Sequence, residues 1–569
     1  MYEVNTRLLL LRGLIGKEAR VSTDEARMLQ KRRFSLAASA VIILLVLVSL
    51  LIIKDAWMCD DAYIAFRTVD NALHGYGLTW NVDERVQAFT SPLWTLLLIA
   101  FSFCVRNIYL TCLVLSLCCS ISTLYLVAMK LARTPLMAIL GLVALAASKT
   151  FVDFATSGLE DPLTYLLIAL FAYVYFCYQD HPRAPLWLGL TAGLATLNRM
   201  DTLLLYAPAL VTILIKKPTL KTLRSLAWGF APFLLWEVFS LWYYGFPFPN
   251  TAYAKLDTGI PEGQLLVQGI GYLIASTLLF DPLILLALLA GLVMPLLSKD
   301  RRAIPLSLGI LLYVAYTLFI GGDFMAGRFF AGPLLLAVIL VVRLPVFSFR
   351  PGWAIAFGVV LLIGIFTPYS RWWWTFTPRL PMTALNIFDQ RAWYADWTSI
   401  WRMGISQVPT FPWAQEGLQV RQSGQRVVVF GTIGFYGFNA GPTVHIVDIY
   451  ALSDPLLARL PTLSDWKIGH FERALPPGYL ATLESGNNVI ENHDLALYYS
   501  KLEVVTRGNL WSLDRLVEIW KLNIGAYSSL LPGTAPIPAL PPGGHIFLAS
   551  LYALWLKKGG LRWATFWRA

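Results

Sequence analysis

Adjacent carboxylates stand at two places in this sequence, each at the edge of an apolar run. WMCDDAYIAFR (57–67) follows LAASAVIILLVLVSLLII (36–53), and TSGLEDP (156–162) precedes another apolar stretch. A carboxylate in such a position can accept backbone N–H groups or favour the positive end of a helix. It can also take a proton from a hydroxyl when partial burial raises its pKa. Both readings stay open for Asp60 and Asp61. Successive helical residues lie about 100° apart, so one of the two can cap while the other faces a cavity. Glu160 and Asp161 carry the same alternatives, with Pro162 suited to a first helical turn. Arg199 and Asp201 in NRMD read equally as an ion pair at a membrane edge or as an anion contact. NTAYAK (250–255) collects an amide, a phenol and an ammonium in Asn250, Tyr253 and Lys255, where the plainer reading is a lysine snorkelling beside aromatics. GGDFMAGRF (321–329) supplies Asp323 and Arg328; the guanidinium can grip a phosphate bidentately or simply anchor a loop.

The elements that must position these residues follow from composition. The chain has 569 residues, 57% hydrophobic and only 14% charged, where a soluble protein carries about 25% charged. Several apolar runs approach the roughly 20 residues that cross a bilayer. The fold class is a polytopic α-helical membrane protein. Its net charge of +11 lies in short basic segments between apolar runs, the pattern of cytoplasmic loops rather than of a nucleic-acid binder. Lys31, Arg32 and Arg33 place the N-terminus in the cytoplasm, and 36–53 reads as an uncleaved first span. Residues 91–105 are short for a span and read as an interfacial or re-entrant helix. Later basic clusters then all fall inside with spans near 108–129, 135–150, 162–178, 185–197, 203–215, 225–243, 267–297, 303–320, 329–346 and 351–368. That makes about 11 transmembrane helices, with a break in 267–297 expected at Asp281–Pro282.

Three segments result: a cytoplasmic stretch 1–35, a membrane unit 36–369 with an outer loop 54–90, and an outer-side domain 370–569. The last has Pro-rich turns and short strands, VVVF (427–430) and HIVDIY (445–450), around a Gly-rich turn, and reads as mixed α/β. WWW (372–374) fits an interfacial belt, and FLASLYALWLKKGGLRW could rest on the membrane. In this topology all the polar motifs meet on the outer side. GTIGFYG (431–437) lacks the nucleotide-binding glycine spacing and reads as a tight structural turn. The six His show no metal-ligand spacing. All six Cys precede residue 178, so no disulfide framework is expected in the C-terminal region.

Taken in order, DDAYIAFRTVDNALHGYGLTWNVDERVQAFTSPLW, TSGLEDPL, NRMD, FPNTAYAKL and GGDFMAGRF resemble the mycobacterial terminal β-(1→2) arabinofuranosyltransferases. More broadly they resemble integral-membrane glycosyltransferases of the GT-C class. IGFYGF, IVDIYALSDPLLAR and WKIGHFERALPPGYL extend the likeness to nearly the whole chain. The resemblance implies a GT-C-like fold with a periplasmic C-terminal domain in a bacterial cytoplasmic membrane. It implies a polyprenyl-phosphate-linked sugar donor, most simply arabinofuranose, and a glycan or glycosylated surface-protein acceptor. The family's acidic motif falls on Asp60 and Asp61, with Asp60 narrowly preferred as base. Lys255, Arg199 and Arg328 are then candidates for the donor phosphate, and Asn250, Tyr253, Glu160, Asp201 and Asp323 for the surrounding site. No cofactor is implied; a divalent cation on the phosphate is compatible but demanded by no motif. Transfer of another sugar, and flipping of a lipid-linked sugar, are the competing readings.

Overall fold

The first helix of the computed structural model, Leu36–Lys54, is long and apolar enough to cross a bilayer, and Ile42, Ile43, Val46, Leu47 and Leu50 along it point outward. The structure describes residues 36–256, 258–344 and 385–533, together with positions 358, 359, 362 and 383. The expected cytoplasmic segment 1–35, most of the expected span 351–368, WWW (372–374) and the C-terminal apolar run lie outside the described residues.

Ile108–Leu131 and Glu262–Phe280 also have the length and apolarity of a span. Leu220–Gly229 and Ala231–Tyr243 meet the test only as a pair, bent by 53°. Six further apolar helices are shorter: Pro92–Val105, Pro135–Ala147, Asp161–Cys177, Pro282–Leu297, Ile304–Phe319 and Arg328–Val342. This is a mostly helical membrane protein; among the described residues three helices reach spanning length, or four with the bent pair, beside shorter apolar ones, and the expected count of about 11 spans is not confirmed. Pro92–Val105 has 14 residues, about 21 Å at 1.5 Å per residue, too short for a hydrocarbon core of about 30 Å.

Two expected spans break for visible reasons. The run 267–297 divides at Asp281, whose carboxylate accepts the Leu283 N–H at 3.1 Å and, on its other oxygen, the Ser148 hydroxyl at 2.7 Å and the Thr150 N–H at 2.9 Å. Pro282 then begins the next helix. The run 225–243 bends after Gly229, with Pro232 in the first turn beyond. Gly229 lies so close to the Gly189 backbone that any Cβ would collide with it, which lets Leu220–Gly229 pack tightly on Ala184–Asn198.

Helix dominates the described part of 385–533, and its sheet has two strands. Val427–Phe430 pairs in parallel with His445–Asp448, Val427 opposite His445 and Phe430 opposite Asp448. The link between them, expected as a tight turn, contains the helix Ile433–Ala440, because parallel strands need a crossover rather than a hairpin. This region shares a core with the membrane helices: Tyr394, Phe411 and Phe435 belong to the same buried cluster as Trp57, Tyr63 and Phe66.

Candidate functional site

Asp60–Leu73 is an amphipathic helix that begins six residues after the first span ends. Asp60, Tyr63, Phe66 and Arg67 are buried because this face packs on Ile433–Ala440. Tyr63 meets Phe435 at 4.8 Å between ring centroids and Phe438 at 5.4 Å. Asp60 does not cap its own helix. Its carboxylate accepts the Phe435 N–H at 2.7 Å and the Gly434 N–H at 3.2 Å, two of the orphan donors at the start of the partner helix. Two turns further along, Arg67 donates to the carbonyls of Gly437 (2.8 Å), Val444 (2.7 Å) and Trp80 (2.8 Å). One helix thus holds its partner by a carboxylate and a guanidinium. Gly434 and Gly437 permit the approach: a Cβ at 434 would strike the Asp60 main chain and carboxyl, and one at 437 the Trp80 ring.

Asp60 and Asp61 open onto a cleft of about 290 Å³, lined also by Lys255, Phe324, Tyr450 and His470. Burial pushes the Asp60 carboxyl up to about 8, against the pull of the Phe435 N–H. Asp61 is raised too, by burial, while Lys255 and Arg328 draw it back. Neither Asp61 nor Lys255 has a hydrogen-bond or ion-pair partner among the described residues. His470 packs edge-on to Phe324 at 4.4 Å, and burial, with Lys255 adding to it, lowers the imidazole to about 4. Its ring is neutral at physiological pH. The cleft therefore offers an oriented carboxylate of raised pKa, a second carboxylate, an uncommitted ammonium and a neutral imidazole.

Glu160, Arg199, Asp201, Asp323 and Arg328 converge nearby, but on one another. Glu160 accepts from Arg199 at 2.8 Å and Arg328 at 2.9 Å. Burial opposes ionisation of Glu160, yet the two guanidiniums outweigh it and hold the carboxyl below its ordinary value. Arg199 also pairs with Asp201 at 2.5 Å, and Tyr313 donates to Asp201 at 3.2 Å. Arg328 reaches Asp161 at 3.5 Å and Asp323 at 3.7 Å. Both arginines expected to meet a phosphate are thus already held by carboxylates. Asn250 is committed as well: its amide donates to the carbonyls of Ala451 (2.9 Å), Leu452 (3.3 Å) and Asp454 (3.0 Å). Tyr253 packs on the Arg459 guanidinium at 4.8 Å. Of the NTAYAK donors, Lys255 is the one that lines the cleft.

His470, Tyr450 and the Gly434–Phe435 N–H pair join the site without standing out among the sequence motifs; Gly469–His470 in WKIGHFER is the available signal for the first. A further buried cluster absent from those motifs has Lys149 meeting Asp389 at 2.8 Å and also Asp153.

The apolar helices, with a polar cleft built between the helix after the first span and the C-terminal region, define a membrane protein whose site combines both parts. No family model matches the chain. It is similar to the terminal beta-(1->2)-arabinofuranosyltransferase of Mycobacterium tuberculosis, 27% identical over 522 residues that cover 75% of this chain and 82% of the relative. It is similar too to the protein of the same name from Corynebacterium glutamicum, 24% identical over 517 residues, 73% of this chain and 72% of that one. The chain is a distant relative of these two proteins.

Proposed function

We propose that this protein is a membrane glycosyltransferase that moves a sugar, arabinofuranose, from a polyprenyl-phosphate donor to a hydroxyl of a glycan or glycosylated-protein acceptor. The observation that carries the reading is Asp60: a buried carboxylate of raised pKa, oriented by two N–H groups, in a cleft it shares with the uncommitted Lys255. The kinship with two arabinofuranosyltransferases over about three quarters of the chain supplies the substrate class.

In this mechanism the acceptor oxygen forms a bond to the anomeric carbon as the bond from that carbon to the phosphate oxygen breaks. Asp60 takes the hydroxyl proton, and polyprenyl phosphate leaves with the bonding pair. Lys255 faces the charge that grows on the leaving phosphate, a role the paired Arg199 and Arg328 fill only at the cost of their carboxylates. The ion-pair cluster around Glu160 then acts as a rigid floor that fixes Arg328 and Asp323 beside the cleft. Neutral His470 and Tyr450 supply hydrogen bonds to sugar hydroxyls. The site faces the outside of a bacterial cytoplasmic membrane, in keeping with the basic loops assigned to the cytoplasm.

Incubating the purified protein with polyprenyl-phosphoryl arabinofuranose and an arabinan oligosaccharide tests this. Transfer of one sugar is the expected product. Transfer only from a mannose-bearing donor would replace the sugar, and lipid translocation without a glycan product would replace the enzyme by a flippase.

A further inference from the structure

The helix Leu513–Asn523 has an apolar face that none of the described residues covers. Leu513 is 77% exposed, Trp520 63%, and Leu516, Val517 and Ile524 also lie open, with Trp511 at 78% just before the helix. The spacing at 513, 516, 517, 520 and 524 is that of one helical stripe. The opposite side faces inward: Ile519 is buried and Leu522 packs against the C-terminal core. Charged Asp514, Glu518 and Lys521 flank the stripe.

The helix is fixed to the end of a membrane helix. Arg515, fully buried, donates to the carbonyls of Trp242 at 2.6 Å and Tyr243 at 2.8 Å, the last residues of Ala231–Tyr243, and to Val505 at 2.8 Å. Asn523 donates to the Gly245 carbonyl at 2.8 Å. Trp511 packs against Trp242 in a tilted arrangement, 5.1 Å between ring centroids. Ala231–Tyr243 in turn exposes Leu234, Leu235, Val238 and Leu241, the surface it presents to lipid. The open stripe therefore continues a lipid-facing surface at the level where the membrane helix ends, marked by paired tryptophans of the kind found at bilayer interfaces.

We propose that Leu513–Asn523 is an interfacial helix, its Leu513–Val517–Trp520 stripe seated in the headgroup and acyl boundary of the bilayer. The partner is the lipid surface. A second copy of the chain is the alternative occupant, and continuity with the lipid face of Ala231–Tyr243 decides against it. The inference stands whatever reaction the cleft performs. Through Arg85, whose N–H bonds the Thr506 carbonyl at 2.9 Å, the same region is tied to the loop behind Asp60–Leu73, so the seated helix sets the height of the cleft above the membrane.

The test uses the full chain in phosphatidylcholine–phosphatidylglycerol nanodiscs, with a polarity-sensitive fluorophore on Val517→Cys, Trp520→Cys or the exposed Asp514→Cys in a cysteine-free background. At 517 and 520 the emission shifts to the blue, is quenched at least twofold by nitroxide-bearing lipid, and resists aqueous iodide; at 514 iodide quenches freely. Iodide access at 517 and 520 equal to that at 514, without nitroxide quenching, overturns the proposal. Protection from both quenchers that grows with the number of chains per disc also overturns it, in favour of the second copy. Should the cysteine-free chain not fold, a photoreactive benzophenone residue at Trp520 in the natural chain gives the same answer: adducts to lipid support the interfacial helix, and adducts to protein alone refute it.

Discussion

Burial of a carboxylate penalises its charged form, and at Asp60 that penalty is met by two backbone N–H groups that keep the group oriented. Its carboxyl sits at about 8, so it is protonated over much of the neutral range and becomes a base as pH rises. The expected kcat/KM therefore climbs with pH through about 8 and levels off above it. Asp60→Asn removes this limb and lowers kcat by about 100-fold or more; its one amide oxygen still accepts one N–H while the other loses its acceptor, so a fall in melting temperature smaller than that of Asp60→Ala is expected. Asp60→Ala adds an instability of about 1–3 kcal/mol for each buried N–H left unpaired, read as a lower melting temperature. If instead Asp61→Asn, not Asp60→Asn, abolished the limb, the two carboxylates would exchange roles. Lys255→Met removes a charge-assisted contact of about 1.5–3 kcal/mol and is expected to raise the donor KM by tenfold or more, with kcat against a short-chain donor falling less. The acidic pair, Lys255 and the convergence of the other polar motifs were legible as residue types at membrane edges. Their commitments were not: nothing in NRMD or GGDFMAGRF shows that Glu160 takes both guanidiniums.

The contact between Asp60–Leu73 and Ile433–Ala440 is the element on which the site depends, and it joins groups 374 residues apart in sequence. That separation explains why GTIGFYG read as a turn. Its glycines lack nucleotide spacing, and their use, close approach to another helix, is invisible without the partner. The helical spacing of 60–73 was readable from its own apolar positions, as were most membrane helices, because periodicity and apolar length are local signals. The break at Asp281–Pro282 was readable from its own residues too; the bend at Gly229 was not, since it reflects the Gly189 backbone brought in from elsewhere in the fold. Gly434→Ala is expected to destabilise the protein by about 1–3 kcal/mol through overpacking and to reduce transfer, since its methyl meets Asp60 itself. Gly263→Ala, at another helical glycine where no atom lies within reach of a Cβ, lacks that packing cost and is expected to leave transfer unchanged.

At the scale of the whole molecule, the membrane helices and the C-terminal region are one packed body around Trp57, Tyr63, Phe411 and Phe435. The buried ion cluster under the cleft braces it. Glu160→Ala removes the carboxylate that both guanidiniums share, leaving Arg199 on Asp201 and Arg328 on Asp161 and Asp323, and should destabilise by about 1–3 kcal/mol, seen as a fall in melting temperature; Glu160→Gln should fall between that variant and the natural chain. Charge asymmetry between loops predicts which face carries the site. A cysteine at the exposed Ser464 is expected to react with an impermeant maleimide in whole cells. Labelling only after the membrane is opened would invert the topology. Composition was enough to read a membrane protein, but helix length was not legible, because short and bent helices satisfy the same hydropathy as full spans.

The central claim is that Asp60 takes the acceptor proton during sugar transfer from polyprenyl phosphate. Its most direct test is transfer by the nanodisc-embedded protein, measured across pH for the natural chain and Asp60→Asn with synthetic polyprenyl-phosphoryl arabinofuranose and an arabinan acceptor. The account predicts one added sugar, an activity limb near pH 8 in the natural chain, and near-complete loss in a folded Asp60→Asn. Full activity of that variant, or no transfer from this donor by the natural chain, would contradict it.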